Sequence, residues 1–258
     1  MSLGTWTPDA LSSERRRLSC RCWRIVEAQH RVSTMKLVDT LAEQERLELL
    51  LEASKPPLPP ECQHLHYLLA TPFRYGAPYP RGSRFRRAGL TPGVFYASAT
   101  ARTAVAEMAF HRLLFFAESP ATPWPSNAGE YTAFAVQLRS ASGLDLTAAP
   151  LAADRERWTH TTDYAACQEL ADTARIAGVE LLKYESVRDP APKGGIDFAL
   201  LTCRAFVCRE PLARQTWRML LGGQGVHAFC DDPDARLAFD RKAFADDPRI
   251  AAMTWDRP

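Results

Sequence analysis

One stretch of the chain decides its fold: GSRFRRAGLTPGVFYASATARTAVAEMAFHR, residues 82–112. It opens with an arginine-rich loop that ends in the turn TPG at 91–93. The residues VFYA at 94–97 are mostly β-branched or aromatic and follow that turn, which predicts a short strand. From Ser98 or Thr100, either of which is a suitable N-cap, the sequence becomes alanine-rich with apolar residues at helical spacing. The stretch therefore predicts a loop, a strand and a helix in succession.

The loop carries a concentrated positive charge from four arginines, Arg81, Arg84, Arg86 and Arg87. Guanidinium groups bind phosphate oxygens through paired hydrogen bonds, so a loop of this composition suits a diphosphate. Nucleic acid is a less suitable ligand, because the formal net charge of the whole chain is only +2 and the basic residues are concentrated rather than spread along a helix.

Two further polar residues follow the loop. Tyr96 ends the predicted strand, where its phenol would lie at the edge or the end of a sheet. Glu107 lies within the predicted helix, on a face made of small, neutral or apolar residues: Thr103, Ala104, His111 and Leu114. Two interpretations of Glu107 remain open. It is either a partly desolvated carboxylate that points into a cleft or one more surface charge on an amphipathic helix.

Outward from this stretch, strands and helices alternate along the chain. Residues 131–138 alternate in hydrophobicity as a strand does, and residues 162–177 form a helical pattern that a glycine would end. The run GVELLKY at 178–184 predicts a strand that leads to Ser186. Residues 197–208 predict a further buried strand or pair of strands.

These elements predict an α+β fold, with a curved mixed or mostly antiparallel sheet and flanking helices. An ordinary Rossmann fold is disfavoured, since no Gly-x-Gly-x-x-Gly opens a βαβ unit. After Pro211 the sequence becomes turn-rich. The glycines at 222–225 predict a hairpin turn rather than a phosphate-binding loop, because no Lys-Ser/Thr pair follows them.

Length and composition are those of a compact soluble protein, with 258 residues of which 46% are hydrophobic. No run approaches about 18 uninterrupted apolar residues, and the N-terminus lacks the pattern of a secretory signal, so we expect neither membrane insertion nor secretion. The seven cysteines are odd in number and lack a Cys-x-x-Cys pair, which predicts reduced thiols in a cytoplasm and no metal site.

The pattern of residues and elements resembles the RES domain, a family named for its characteristic Arg, Glu and Ser. The resemblance is carried by a Ser-Arg-Phe run, a glycine-containing loop, VFYA, and an alanine-rich helix whose Glu stands eleven residues after the Tyr. It places the family's Arg at Arg84, its Tyr at Tyr96 and its Glu at Glu107. The family's Ser is expected after a later strand, where this chain has Ser186.

A further part of the resemblance lies upstream. The run LLATPFRYG at 68–76 resembles the family's opening strand, with Arg74 at its end. The segment before it is similar to an N-terminal extension found in a longer subset of the family.

The resemblance implies a scaffold similar to ADP-ribosyltransferase toxins and a reaction on NAD. NAD would be a consumed substrate, and neither a permanently bound cofactor nor a metal is required. The bond between nicotinamide and ribose breaks through a transition state that resembles an oxocarbenium ion, and a carboxylate can stabilise its positive charge. The resemblance thus implies catalytic roles for three residues: Glu107, Arg84 and Tyr96. It implies NAD-binding roles for three more: Arg74, Arg86 and Ser186.

Each role fits its residue type. Glu107 would accept a hydrogen bond from a ribose hydroxyl and stabilise the cationic sugar. Arg84, helped by Arg74 or Arg86, would clamp the diphosphate. Tyr96 would stack on or orient the nicotinamide ring, and Ser186 would fix the nicotinamide or its ribose.

The resemblance also divides the chain into two parts. Residues 1–66 would form a helical N-terminal extension, and residues 67–258 would form a RES-type NAD-binding domain with a C-terminal segment. The extension carries a stripe of apolar residues at helical spacing: Leu37, Val38, Leu41, Leu47, Leu50 and Leu51. That stripe either packs on the main domain, which is the simpler interpretation, or forms a dimer contact.

Members of the family occur as toxins of bacterial toxin–antitoxin pairs whose antitoxin is an Xre-like protein. We therefore expect such a partner, a cytoplasmic location, and no direct contact with nucleic acid or membrane. Three functions remain open. In two of them the chain is an enzyme, which passes the ADP-ribose either to a cellular protein or to water or phosphate. In the third, the chain is a catalytically silent module that binds the antitoxin. The extra terminal segments favour a protein substrate and hence a mono-ADP-ribosyltransferase.

Overall fold

The computed structural model describes residues 6–28, 37–74, 82–89 and 91–257. Its strands, in chain order, are β1 (Arg16–Glu27), β2 (Phe95–Ser98), β3 (Gly129–Asp145), β4 (Leu181–Ser186), β5 (Gly195–Leu200), β6 (Ala213–Gly222), β7 (Gly225–Cys230) and β8 (Ala235–Asp240). Its helices are α1 (Pro8–Ser13), α2 (Leu41–Ser54), α3 (Tyr67–Ala70), α4 (Ala101–Glu118), α5 (Arg155–Trp158), α6 (Ala165–Ile176) and α7 (Pro248–Ala251).

The strands form one mixed sheet of eight strands in the order β1-β2-β5-β4-β3-β6-β7-β8. The pairing of β3 with β4 is parallel, and the other pairings between named strands are antiparallel. The helices lie outside this sheet or at its ends. This arrangement confirms the predicted α+β class with a mixed sheet and flanking helices.

Five of the strands are paired in a closed ring. β1 pairs with β3 along most of its length and also meets β2, where Trp23 lies opposite Ser98. Because β3 is long, its first residues pair with β6 while residues 143–145 pair with β4. The pairings therefore form a ring through β1, β2, β5, β4 and β3, from which β6, β7 and β8 extend as an antiparallel meander.

The prediction that residues 1–66 form a helical extension is wrong for residues 16–27. These residues form β1, in which buried or partly buried positions alternate with exposed ones as in other strands. The segment ends with Trp23, Ile25 and Val26, whose aromatic or β-branched side chains favour a strand. β1 is thus an integral part of the sheet rather than an appendage to it.

The leucine stripe of α2 does not pack on the main domain, because α2 has no buried residue. Leu41 and Leu50 are 68% and 61% exposed. The helix is instead held at its ends. Thr40 and Glu43 form a capping box, and Glu52 forms an ion pair with Arg74. The simpler interpretation of the stripe was therefore wrong, and the dimer contact stays a prediction.

The predicted opening strand at 68–76 is also wrong. The chain there forms α3, with the His66 side chain capping the amide of Leu68, and a turn of 3₁₀ helix at Thr71–Phe73. Pro72 favours that turn, because it fixes its own φ and needs no amide hydrogen bond there. Residues 75 and 76 lie outside the described residues.

The central prediction, from strand to helix, is confirmed. β2 covers 95–98, and the Thr100 side chain accepts a hydrogen bond from the Thr103 amide as the N-cap of α4. The apolar residues of α4 at helical spacing are buried or partly buried against the sheet: Val105, Met108, Ala109, Leu113 and Phe116. β4 leads to Ser186 as predicted, and α6 ends before Gly178, whose φ is +69°.

Three predictions concern the last third of the chain, and they differ in outcome. Residues 195–200 form the predicted strand β5, but 203–205 form a 3₁₀ turn. The hairpin at 222–225 is confirmed, since Gly222 pairs with Gly225. The region after Pro211 was expected to be turn-rich. The residues that indicated turns at 222–225 and 231–233 do join elements of the chain, but the strands β6, β7 and β8 on either side of them were not predicted.

All seven cysteines lie in the described part of the chain, and each is a free thiol. Within the described ranges, no cluster of three or more His, Cys, Asp and Glu side chains is arranged to hold a metal ion. Over the same residues, every helix is too short or too polar to cross a membrane.

Candidate functional site

The candidate site lies where α4 crosses the ends of β2, β4 and β5. In the sheet, Asp197 stands between Ser98 of β2 and Tyr184 of β4. The helix approaches closely because β5 begins with Gly195. A Cβ at that glycine would lie only 2.4 Å from Cγ2 of Thr103. The close approach places side chains of the helix directly over the three strands.

Glu107 and Ser186, the helix and strand residues predicted for the site, are in direct contact. The Ser186 hydroxyl donates a hydrogen bond of 2.5 Å to Oε1 of Glu107. Ser186 is buried, whereas Glu107 keeps part of its surface accessible. Of the two open interpretations of Glu107, its partial burial and its hydrogen bond favour a partly desolvated carboxylate rather than an ordinary surface charge.

A second carboxyl group, which the sequence interpretation missed, completes this cluster. Asp197 is only 4% exposed, and its Oδ1 accepts a hydrogen bond of 2.6 Å from the Ser98 hydroxyl. Its carboxyl group also interacts with the neighbouring carboxyl group of Glu107. Burial raises the pKa of Asp197 well above its usual value, and the negative charge of Glu107 raises it further. We call Ser98, Glu107, Ser186 and Asp197 the carboxyl cluster.

The loop after β4 is tied to the same serine. The Ser186 hydroxyl oxygen accepts hydrogen bonds from the amides of Arg188 and Asp189, at 3.3 Å and 3.2 Å. Asp189 in turn accepts hydrogen bonds from Thr103 and Arg102 of α4. Ser186 therefore links β4, the loop and the helix in one network.

Arg188 extends this network to the C-terminal part of the chain. Its guanidinium lies 3.0 Å from Oδ2 of Asp247, and it stacks 3.8 Å from the ring centroid of Phe110 on α4. It also donates hydrogen bonds to the Thr161 carbonyl and the Tyr164 hydroxyl. Burial alone would raise the pKa of Asp247. The hydrogen bonds from Arg249 and the positive charge of Arg188 outweigh burial, so the pKa lies below its usual value.

Arg84 is buried and its guanidinium is engaged by the protein. It donates hydrogen bonds to the carbonyls of Trp158 and His160, at 2.7 Å and 3.0 Å, and lies over the ring of Tyr164. In this arrangement Arg84 anchors the loop that connects α5 to α6. It does not touch the carboxyl cluster through any hydrogen bond that the structure records.

Tyr96 lies between the arginine-rich loop and the sheet. Its hydroxyl accepts a hydrogen bond from the amide of Phe85, at 3.0 Å, and shares another with the Ser83 hydroxyl, at 2.8 Å. Tyr96 thus positions the residues on either side of Arg84. The neighbouring Tyr184 is buried, and burial, followed by the nearby carboxyl groups of Asp197 and Glu107, raises its pKa.

The two arginines predicted to bind NAD, Arg86 and Arg74, have hydrogen-bond or ion-pair partners outside the carboxyl cluster. Arg86 is buried and donates to the hydroxyl and the carbonyl of Thr91, so it closes the arginine-rich loop on itself. Arg74 pairs with Glu52 of α2, at 2.5 Å. Arg81 lies outside the described residues.

The sequence carries a signal for Asp197. Asp197 stands at the start of a strand whose next residues, Phe198 to Leu201, are all apolar and buried. A carboxyl group in such a strand is costly to bury unless it is hydrogen-bonded or neutral. No comparable signal marks Arg188 or Asp247, because their contact joins residues that are distant in sequence.

A surface groove of about 380 Å³ lies elsewhere, on β7 and β8. It is lined by residues of that hairpin, among them His227, Phe229 and Arg236. β3 and β6 separate these strands from β4 in the sheet order, so the groove is distinct from the carboxyl cluster. None of the predicted site residues lines it.

Comparison with known proteins gives a family and a structural neighbour. A family model described as the RES domain matches residues 58–221, which is well over half of the chain. The matched region contains the whole carboxyl cluster, whereas β1 and Asp247 lie outside it. No curated protein matches the chain. Among solved structures, the chain is similar to the M. tuberculosis MbcT-MbcA toxin-antitoxin complex, with 14% identity, coverage of 75% of this chain and 80% of that chain, and a TM-score of 0.41.

Proposed function

The chain belongs to the RES domain family, and from this premise we propose that it is the toxin of a toxin–antitoxin pair that cleaves the nicotinamide–ribose bond of NAD and transfers ADP-ribose to a cellular protein. NAD is its substrate rather than a resident cofactor. Its partners are NAD, the protein acceptor and an Xre-like antitoxin, and its compartment is the cytoplasm.

The observation that carries this proposal is the carboxyl cluster. Glu107 is partly accessible while its Oε1 is held by a buried serine hydroxyl. A carboxylate fixed in this way is aimed before substrate arrives, so no reorganisation is needed as positive charge develops on the ribose. Its unengaged lone pairs can accept hydrogen bonds from ribose hydroxyls. These are the requirements of a reaction with an oxocarbenium-like transition state.

Binding of the diphosphate requires a change of partners at Arg84. Its two Nη atoms donate to the carbonyls of Trp158 and His160. A phosphate oxygen is a charged acceptor and forms a stronger hydrogen bond with a guanidinium than a neutral carbonyl does. We propose that NAD exchanges at least one of these carbonyls for a phosphate oxygen, with Arg86 and Arg74 as further cationic groups. Tyr96 and Ser186 would orient the nicotinamide and its ribose.

The proposal is tested with the purified protein, NAD labelled on the adenine, and a cell lysate. Both the loss of NAD and the label on protein bands are followed. Glu107→Gln is compared with Glu118→Gln, which makes the same chemical change about three turns further along α4 at an exposed position. We expect a discrete labelled band with the wild type and with Glu118→Gln, and none with Glu107→Gln.

Other outcomes assign other functions. Loss of NAD without labelled protein would make the chain an NAD glycohydrolase, or a phosphorylase if the products change when phosphate is added. If folded protein consumes no NAD, both enzymatic functions are contradicted. The remaining function would then be that of a catalytically silent module that binds the antitoxin.

A further inference from the structure

The carboxyl cluster contains one more carboxyl group than the proposed reaction requires. We infer that Asp197 is a neutral carboxylic acid that donates a hydrogen bond to Glu107, so that the pair carries one negative charge rather than two. The role of this proton in catalysis rests on the proposed function. The presence of the proton on Asp197 does not rest on that function, because it follows from the packing of the protein alone.

The contacts of Asp197 leave one of its oxygens able to carry a proton, and the Glu107 carboxyl is the group that can accept a hydrogen bond from it. The Ser98 hydroxyl donates to Oδ1 at 2.6 Å, which leaves Oδ2 for a second contact. The Glu107 carboxyl lies within hydrogen-bonding reach of Asp197. Two carboxylates cannot donate to each other, so a hydrogen bond between these groups requires that one of them carries a proton.

Burial decides which of the two groups holds the proton. Asp197 is 4% exposed, whereas Glu107 keeps part of its surface accessible to water. The charged form of a carboxyl group loses more by desolvation than the neutral form, so the proton resides on the more deeply buried partner. The pKa of Asp197 is raised in agreement with this assignment, first by burial and then by the charge of Glu107.

The groups that face Asp197 supply no compensating positive charge. They are Glu107 from α4, Tyr184 from β4, and Cys22 from β1. Each of these three side chains is neutral or anionic at every pH. Of the two serines nearby, Ser98 donates to Asp197, and Ser186 gives its hydroxyl proton to Glu107. Ionisation of Asp197 would therefore place a second anion beside Glu107 without a cation among these neighbours to balance it.

A neutral Asp197 serves the proposed reaction in two ways. It holds the Glu107 carboxyl through a second hydrogen bond, in addition to the one from Ser186 to Oε1. It also leaves the full single charge of Glu107 directed at the cationic sugar. A buried acid kept neutral by its surroundings is a known way to supply a hydrogen-bond donor at neutral pH.

Asp197→Asn separates a neutral acid from a carboxylate. The amide oxygen can accept the hydrogen bond from Ser98, and the NH₂ group can donate to Glu107, so asparagine reproduces the neutral acid but not the anion. We expect Asp197→Asn to keep NAD turnover within about threefold of the wild type at neutral pH. Asp197→Ala, which removes the donor, should lower turnover on the order of a hundredfold. Wild-type turnover should fall at alkaline pH as Asp197 ionises, and Asp197→Asn should lack that fall.

A measurement without NAD tests the proton itself. Infrared spectra of the intact protein, recorded as pH is raised, show the C=O stretch of a protonated carboxyl group. We expect this band to persist at neutral pH in the wild type and in Asp234→Asn, a control whose side chain is 81% exposed, and to be absent in Asp197→Asn. In Glu107→Gln the band should disappear at lower pH than in the wild type, because the repelling charge is gone.

These results keep the two proposals apart. The inference is wrong if no protonated carboxyl survives above pH 5 in the wild type, or if the band is unchanged in Asp197→Asn. Should Asp197→Asn fail to fold, the wild-type and Glu107→Gln titrations still decide the question. A persistent band in a protein that never consumes NAD would support the neutral acid and contradict the proposed function.

Discussion

The guanidinium of Arg188 lies 3.0 Å from Oδ2 of Asp247, and the side chains of both residues are almost fully buried. The amide of Arg188 also donates to the Ser186 hydroxyl, which holds Glu107. One buried ion pair therefore connects the C-terminal part of the chain to the carboxyl cluster. Asp247 is shared with Arg249, which donates to both of its carboxylate oxygens.

The first prediction concerns this ion pair. Asp247→Ala leaves the buried Arg188 without its anion, so we expect the free energy of unfolding to fall by about 3–5 kcal/mol. Denaturation with urea measures this change. Asp231→Ala removes an exposed ion-pair partner of Arg218 and should leave stability almost unchanged. Equal stability of the two variants would contradict a structural role for the Arg188–Asp247 contact.

Glu107→Gln should strongly reduce turnover without unfolding the protein. The amide retains the volume of the side chain and can still accept from Ser186, but it cannot offer a negative charge to the sugar. We expect NAD consumption to fall on the order of a hundredfold to a thousandfold. The thermal unfolding midpoint serves as the control for folding. Wild-type activity in this variant would exclude Glu107 as the group that stabilises the transition state.

Arg84→Ala should weaken NAD binding and also loosen the loop between α5 and α6. The guanidinium now bridges the carbonyls of Trp158 and His160, which would become unsatisfied. Titration with NAD measures the affinity, and proteolysis near residue 160 reports on the loop. Arg84→Lys keeps the positive charge but loses the paired hydrogen-bond donors of the guanidinium. It should therefore retain only part of the NAD affinity and part of the resistance of the loop to proteolysis. Unchanged affinity would assign the diphosphate to Arg86 or Arg74.

Asp197 should make the protein less stable as pH rises. Its pKa is raised on folding, chiefly by burial and then by Glu107. The native state therefore binds this proton more tightly than the unfolded chain, whose Asp197 titrates near the ordinary value of 3.8. Its contribution is fully present below that pH and is lost progressively as pH rises towards the native pKa. Asp197→Asn should remove this loss, as unfolding free energies measured from pH 4 to pH 8 would show. An identical pH dependence in the two proteins would contradict the raised pKa.

Gly195→Ala should disturb the contact between β5 and α4. The new methyl group would lie 2.4 Å from Cγ2 of Thr103 and 2.9 Å from Oδ2 of Asp189. We expect a loss of about 1–3 kcal/mol in the free energy of unfolding, which Thr103→Ser should partly restore by removing the clashing methyl. Gly222→Ala is the matched control, because no heavy atom lies within 4 Å of its Cβ position. A loss as large in the control would rule out the steric cause.

The sequence predicts local structure well where the pattern itself is local. The succession from β2 to α4 follows from a turn, a run of strand-forming residues and an N-cap at Thr100, all within a few positions. A family resemblance placed Ser186 and Glu107 in one site, and their side chains are in contact at 2.5 Å. Residues 68–73 were wrongly expected to be a strand, because a short apolar run does not distinguish a strand from a helical turn.

What the sequence does not predict is long-range pairing. β1 pairs with β3 across more than 100 residues, and nothing in residues 16–27 identifies that partner. Arg84 was expected to be free for a diphosphate, yet its partners are backbone carbonyls, which carry no sequence signature. Asp197 was overlooked for a related reason. Its importance depends on Glu107, 90 positions earlier, and on the ring of strands that brings the two together.

The Arg188–Asp247 contact has a consequence for the order of events during synthesis. When Ser186 at the end of β4 has just been synthesised, the 61 residues from 187 to 247 have still to be translated. Until then the loop after β4 has no anion to hold it, and Arg188 is left without its partner. A nascent chain that ends between Asp197 and Asp247 would thus contain every residue of the carboxyl cluster without the ion pair that supports the loop beside it. The full set of contacts around the cluster forms only after Asp247 has been synthesised.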